Sequence, residues 1–279
     1  VEELPSRSRR LDLTGIPPGA VRRALVWSSS ASGIVHRGLP SPWITVVVPF
    51  GETVVPVGIP DTGGHRVQEF RTLVGGLHDR SVLLPQDRPQ AGLQLDLHPL
   101  AARALLGLPA GEIHGRVLAL TDLDWPELAP ELIAGLPADV VRDQILAGVR
   151  ARLVAAQAPS PELTEAFRLV VAGHGRLRMP QVADLVGWSR RRLTERMRFE
   201  TGLGAKELSR IARFTAAVAD ARTGRALADI AHRRGYADQA HLSRDWRDLA
   251  GCSPREWLGA EAPLFSSRPE PVDGSRLTA

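Results

Sequence analysis

The residues whose types and spacing could do chemistry crowd into one short stretch. Between residues 168 and 198 stand eight arginines (Arg168, Arg176, Arg178, Arg190, Arg191, Arg192, Arg196 and Arg198) against Asp184 and Glu195, a local net charge of +6. Guanidinium groups present a fork of donors that fits phosphate oxygens and base edges. A compact basic segment on an otherwise balanced chain suits the binding of a phosphate backbone. A solvated helix face is the plain alternative, and the placing of the arginines around the helix decides between the two.

Other chemistry is poorly supplied. The eight histidines (His36, His65, His78, His98, His114, His174, His232, His241) form no HxH, HxxxH or HExxH spacing, so metal ligation is weakly supported, although a barrel could gather distant ones. There is no Walker loop, no GxSxG and no CxxC pair, and no nucleophile–base arrangement is legible. Gly202-Leu203-Gly204 lacks the third glycine and the leading strand of a dinucleotide loop and reads as a turn. The sequence therefore predicts neither enzyme nor cofactor. The single cysteine, Cys252, permits no intrachain disulfide, fits a reducing compartment, and reads as a small residue in a packed turn. No apolar run approaches the ~18 residues of a membrane span, and the polar Val1–Arg10 segment does not read as a secretory signal. A cytoplasmic protein is expected.

The elements that must position the arginines are legible as a repeat. Val182-Ala183-(x3)-Gly187-Trp188-Ser189 matches Ile230-Ala231-(x3)-Gly235-Tyr236-Ala237 at an offset of 48. At an offset of 49, Leu193 matches Leu242, Met197 matches Trp246, Thr201-Gly202 matches Ala250-Gly251, and Ala205-Lys206-Glu207 matches Pro254-Arg255-Glu256. In each copy a short helix ends at a glycine suited to a left-handed turn, and Ser189 or Asp238 caps a second helix. In the first copy Val182, Leu185 and Val186 are expected to face inward, as are Leu193 and Met197, four residues apart on the second helix. Arg191 and Glu195 then point the opposite way, flanked by Arg192 and Arg198. This is a helix-turn-helix with its basic run on the exposed face. In the second copy Leu242 and Trp246 face inward, Ala240 and Arg244 outward, and Ser253-Pro254-Arg255-Glu256 opens a final helix as a capping box. Ala205 to Arg222 reads as one amphipathic helix joining the copies, and Ser160-Pro161 as the capped start of the first helix after a linker.

The chain of 279 residues favours two domains, and the charge is split between its halves: residues 1–159 carry a net −1 and residues 160–279 a net +5. Upstream, apolar runs recur at Ala24–Trp27, Trp43–Phe50, Thr53–Ile59, Ser81–Leu84 and Leu93–Leu97, punctuated by glycine and proline, which predicts short antiparallel strands. Pro99 to Leu106 reads as a short helix, and Pro126–Ala134 and Pro137–Ala156 as longer ones, the last with a stripe of Val140, Val141, Ile145, Val149 and Val154. The expected architecture is α+β. A mainly β domain (cupin-like barrel or sandwich) spans 1–125, a helical segment and linker 126–158, an all-α domain with two helix-turn-helix units 159–262, and a disordered tail 263–279.

Residues 160–260 resemble the DNA-binding domain of AraC/XylS-type bacterial transcription regulators. The resemblance rests on Gly187-(x)-Ser189-(x)-Arg191-(x)-Leu193, Thr201-Gly202-Leu203, Arg210-(x2)-Arg213-Phe214, and above all Gly235-Tyr236-Ala237-Asp238-Gln239-Ala240-His241-Leu242-Ser243-Arg244 with Gly251-Cys252-Ser253-Pro254. The stretches 36–42, 76–80 and 99–109 look like the sensor domain of one branch of that family. The resemblance implies two recognition helices in successive major grooves. It implies as partners an operator duplex, a second copy of the chain, a small-molecule effector and RNA polymerase, and it implies association with the nucleoid. It places Ser189, Arg190, Arg191, Arg192, Glu195, Arg196, Arg198, Asp238, Gln239, Ala240, His241, Ser243 and Arg244 at the DNA, with His36, Trp43 and His78 as candidates for the effector pocket. Glu195 departs from the family, which usually has arginine there. It can accept from cytosine N4, or pair with Arg191 or Arg192 and read nothing. Two other readings stand beside this one: a cupin-like enzyme or metal-binding domain tethered to a DNA-binding module, and an architectural DNA binder with no effector.

Overall fold

The computed structural model describes residues 7–16, 19–29, 33–61, 64–123, 125, 129, 132 and 135–265. Among the described residues, ten strands form two antiparallel sheets. The first holds β1 (Arg7–Arg10), β2 (Val21–Ser29), β4 (Ile44–Pro49), β7 (Leu73–Gly75), β9 (Gln90–Leu97) and β10 (Val117–Ala119), in the order β1-β2-β9-β4-β7-β10. The second holds β3 (Ile34–Gly38), β5 (Val55–Asp61), β6 (Gly64–Phe70) and β8 (Val82–Gln86), in the order β3-β8-β5-β6.

Alternation along the strands gives the first sheet two different faces. Ile44, Val46 and Val48 on β4, with Leu93, Leu95 and Leu97 on β9, have no exposed surface and belong to the main core. That core continues into α1 (Ala102–Leu106) and α2 (Ala138–Ala155) through Leu105, Leu106, Val141, Ile145 and Val149. The intervening residues Thr45, Val47, Gln90 and Gln94 face the second sheet and line a cavity. A one-residue slip of β4 or β9 would exchange these faces, so burial on one side holds the register. A smaller core of Val55, Val57, Phe70, Leu73 and Val117 closes the sandwich on one side of the cavity.

Seven helices follow: α3 (Pro161–Ala172), α4 (Met179–Leu185), α5 (Arg190–Thr201), α6 (Ala205–Arg222), α7 (Leu227–Arg234), α8 (Gln239–Ala250) and α9 (Pro254–Phe265). Ser160 caps α3 through the Leu163 N–H at 3.4 Å, with Pro161 in the first turn. Phe214 of α6 meets Trp246 of α8 edge-on at 5.2 Å, and Trp246 meets Trp257 of α9 at 5.6 Å. The apolar core runs without a break from the sheet into these helices.

Several expectations need correction. The stripe on α2 is narrower than predicted: Val140 and Val154 are exposed, because only the face at Val141, Ile145 and Val149 meets the β domain. Leu185 is exposed too, as the last residue of α4 facing away from the core, whereas the next residue, Val186, packs against it. The last helix reaches Phe265, three residues past the expected boundary at 262, and residues 266–279 of the expected tail lie outside the described ones. The predicted helix 126–134 also lies mostly outside the described residues. Strands β1, β3, β6, β7 and β10 carry no recognised apolar run; β6 is an exposed edge whose polar side chains discourage further pairing.

Candidate nucleic-acid interface and its adjoining cavity

The two helix-turn-helix units are built by the same local bonds. In the first, the Trp188 N–H reaches the Ala183 carbonyl across the turn, and in the second the Tyr236 N–H reaches Ala231, each at 2.9 Å. The turn glycines Gly187 and Gly235 have φ of 69° and 75°, a conformation that a side chain would strain. Ser189 accepts from the Arg192 N–H at 3.2 Å and Asp238 from the His241 N–H at 2.6 Å, which fixes where α5 and α8 begin. Leu193, Met197, Leu242 and Trp246 are fully buried. Capping of α9 by Ser253 and Glu256 is reciprocal, at 3.2 and 2.7 Å.

The outward faces differ in how their charges are engaged. On α5, Arg190, Arg191, Arg192, Glu195, Arg196 and Arg198 are all exposed. Arg191 holds Glu195 at 2.7 Å, Arg196 holds Glu200 at 3.4 Å, and Arg198 approaches Glu207 at 3.9 Å. Arg192 stacks over Trp188 with 4.5 Å to the ring centroid. On α8, Gln239, Ala240 and Arg244 are exposed, whereas Ser243 and His241 are half-buried. The His241 ring leans on Tyr236 at 5.2 Å and accepts from the Ala237 N–H at 3.3 Å. Arg244 has no hydrogen bond or ion pair among the described residues.

Helix α6 holds the second unit from behind. Arg210 binds Asp245 and, at 2.9 Å, Asp248. Tyr236 donates its hydroxyl to Asp245 at 3.1 Å, and burial with that neighbouring carboxylate raises the phenol well above its ordinary value. Arg213 lies over the Tyr236 ring at 5.1 Å. These contacts explain the Arg210-(x2)-Arg213-Phe214 pattern.

Both units also touch the β domain. Arg103 of α1 meets Glu200 of α5 at 3.1 Å. The turn at Ala110–Ile113 lies so close to the end of α5 that a side chain at Gly111 would fall 2.5 Å from the Phe199 carbonyl, so only glycine fits there. At the end of α8, the Ala250 carbonyl accepts from Ser81 at 2.9 Å and from Arg37 at 3.5 Å. Glu261 of α9, fully buried, accepts from the Arg37 N–H at 2.8 Å and meets His36 Nδ1 at 2.6 Å. Sequence reasoning missed Glu261. A glutamate near the end of the last expected helix gives no sign of a partner 225 residues away.

A cavity of about 670 Å³ lies between the two sheets. The structure places His36, Trp43 and His78 on its wall, and Arg222, the last residue of α6, lines it from the helical side. Arg222 stacks over Trp257 at 5.3 Å. Burial lowers the His78 imidazole to about 4, helped by neighbouring His114, so His78 is neutral near pH 7. Burial raises the Cys252 thiol, which suits a packed position rather than a reactive one. Among the described residues no three His, Cys, Asp or Glu side chains gather as a metal site, and no helix is long and apolar enough to cross a membrane.

A family model for the helix-turn-helix domain matches residues 182–260. Residues 182–260 thus form a helix-turn-helix domain. Comparison with solved structures extends the likeness to the whole architecture. ToxT from Vibrio cholerae is 13% identical, with 86% of this chain and 98% of that chain covered at a TM-score of 0.51. ToxT from strain O395 bound to (E)-4-(8-methylnaphthalen-1-yl)but-3-enoic acid is 12% identical, covering 86% and 99% at a TM-score of 0.50. At these identities the likeness is one of fold. The C-terminal domain of AraT, a response regulator from Geobacillus stearothermophilus, is 22% identical over 42% of this chain and 95% of that one, at a TM-score of 0.34. No curated protein matches the chain. A β domain of two sheets followed by a helix-turn-helix domain is the architecture this chain shares with ToxT.

Proposed function

We infer that this AraC-type protein is a sequence-specific transcription regulator whose β domain reads a small molecule and whose two recognition helices read an operator. The observation that carries the reading is the continuity of one helix. Helix α6 packs behind α8 at one face and ends with Arg222 in the cavity wall, so whatever fills the cavity touches the scaffold of the recognition helices. The organic acid named with ToxT supports a cavity that accepts small molecules in this architecture. No catalytic step is assigned to the chain.

Within this reading Arg190, Arg192, Arg196 and Arg198 hold phosphates, while Arg244 and Gln239 reach base edges. Arg191 and Glu195 satisfy one another across the face of α5. Ser189, Asp238 and His241 chiefly set the helix starts, leaving Ala240 and Ser243 to shape close contact with the groove. The active species is a homodimer formed through residues 1–157, for which the exposed Val140 and Val154 of α2 offer apolar surface. RNA polymerase is the expected partner at a promoter, with the protein working in the cytoplasm on the nucleoid.

Selection of sites from random duplex DNA by the full-length protein tests the reading. One motif with two short elements about one helical turn (~10 bp) apart is expected, bound with affinity that falls steeply with salt. Enrichment of no motif would leave an architectural binder. Sedimentation showing only monomer at micromolar concentration, with and without DNA, would remove the dimer.

A further inference from the structure

The cavity wall shows what its occupant must offer. At one end, Ser29 of β2 pairs with Gln90 of β9, and Gln86 of β8 comes from the opposite sheet. Ser29 donates to the Gln86 side-chain carbonyl at 2.7 Å. Gln90 is 3% exposed, and neither its Nε2 nor its Oε1 has a hydrogen-bond partner. The indole Nε1 of Trp27, two residues before Ser29 on the same face, is also unpartnered. Leaving a buried amide group unpaired costs stability, so a wall that carries one is built for something else. The middle of the cavity is apolar, lined by Leu25, Val47, Val57 and Leu84.

The charged groups of the wall are already answered from within the chain. Arg23 holds Asp96 at 2.7 Å, and His36 holds Glu261. Arg222 faces the Trp257 ring, with Glu261 close enough to act on it. Two buried carboxylates thus stand behind the cavity's two arginines, and His78 contributes no charge near pH 7. An ionised ligand group would have to give up water for a wall whose charges are paired.

We propose that the effector is an uncharged amphiphile whose head carries a hydrogen-bond donor beside an acceptor, as in an amide or lactam, seated against Gln90 and Trp27 with its apolar body along Leu25, Val47 and Leu84. Gln90 Oε1 needs a donor, while Gln90 Nε2 and Trp27 Nε1 need acceptors. A carboxylate would meet the two N–H groups but press its lone pairs on Gln90 Oε1. A carboxamide meets all three. A site that buries such groups discriminates strongly against ligands that leave one unpaired. This inference rests on the reading of the cavity as the effector site.

Titration of the full-length protein with decanamide and decanoate, followed by the fluorescence of the cavity residues Trp27 and Trp43, tests it. Decanamide is expected to bind at least tenfold more tightly. Gln90→Met, nearly equal in shape, should weaken decanamide at least tenfold and leave decanoate within twofold. It should also raise the melting temperature of the unliganded protein, because it removes an unpaired buried amide. Trp27→Phe should weaken decanamide severalfold and provides a second variant. Decanoate binding as tightly as decanamide would overturn the ligand class and leave the cavity as an effector site. Equal effects of Gln90→Met on both probes would do the same. Binding of neither probe would overturn both this inference and the small-molecule reading beneath it.

Discussion

The two helix-turn-helix units share a scaffold and differ in charge. Their turns close with matching 2.9 Å bonds, and their recognition helices bury the same two positions. Yet α5 carries five arginines and two glutamates, while α8 carries two arginines and two aspartates. The acidic groups are used differently as well. Glu195 is turned along the outer face of α5 onto Arg191, whereas Asp245 and Asp248 are drawn back onto Arg210 of α6. Anchoring the aspartates behind α8 leaves Arg244 unopposed at the front. The repeat thus preserves what packs and varies what faces outward, and the proposed division of labour, backbone for the first unit and bases for the second, rests on that difference.

The most severe way to break this comparison is at the core of the second unit. Trp246→Ala removes a fully buried ring wedged between Phe214 and Trp257 and should cost about 3–5 kcal/mol, read by urea denaturation. In site selection the element read by α8 should fade before the one read by α5. A loss below about 1 kcal/mol would mean that α6 holds α8 by its polar bonds alone.

Acid should act on the opposite unit. Burial lowers His98 to about 4, as it does His78. His98 sits between Trp43 and Phe167 and accepts from the Leu100 N–H, while His78 neighbours His114, whose side chain abuts Gly202 at the end of α5. Both folded values lie below the ordinary 6.5, so the unfolded chain takes up protons that the fold refuses. Their contribution, roughly 3 kcal/mol each at most, is complete above about pH 6.5 and is lost as pH falls toward 4. Hydrogen exchange at pH 7.5 and pH 5 should show α5 losing protection before α8. The reverse order would place the acid-sensitive seat elsewhere.

Base choice sharpens the comparison. Arg244→Ala should relax selection at one or two base pairs, a bidentate guanine contact being worth about 1–3 kcal/mol of discrimination, while Glu195→Ala should leave the motif largely intact. A motif rewritten by Glu195→Ala and untouched by Arg244→Ala would reverse the division of labour. The smallest effect is expected at Arg192, stacked on Trp188. Arg192→Ala should weaken binding to all sequences alike and lower the salt slope by roughly one unit.

The repeat was legible because it is local. Caps at Ser160, Ser189, Asp238 and Ser253, the glycines at the turns, and the four-residue spacing of Leu193 with Met197 all act within one or two helical turns, where sequence separation and spatial neighbourhood coincide. Leu185 misled for the complementary reason: an apolar residue at the end of a short helix is buried only if another element reaches it, and here none does. The edge strands escaped notice because β6 exposes nearly every side chain, leaving no alternation to read.

By itself the sequence determined the two helix-turn-helix units, the helix that joins them and the basic face of α5, since hydrogen bonds and side-chain periodicity inside one element dictate them. Only the tertiary structure decided what connects the units to the β domain. Arg103 with Glu200, His36 with Glu261, the close pass of Gly111, and the arrival of Arg222 in the cavity of Gln90 and Trp27 join residues far apart in the chain. Such pairings are fixed by how the sheets and helices pack, and no local pattern announces which distant side chain will complete a buried charge or which buried amide will be left unpaired.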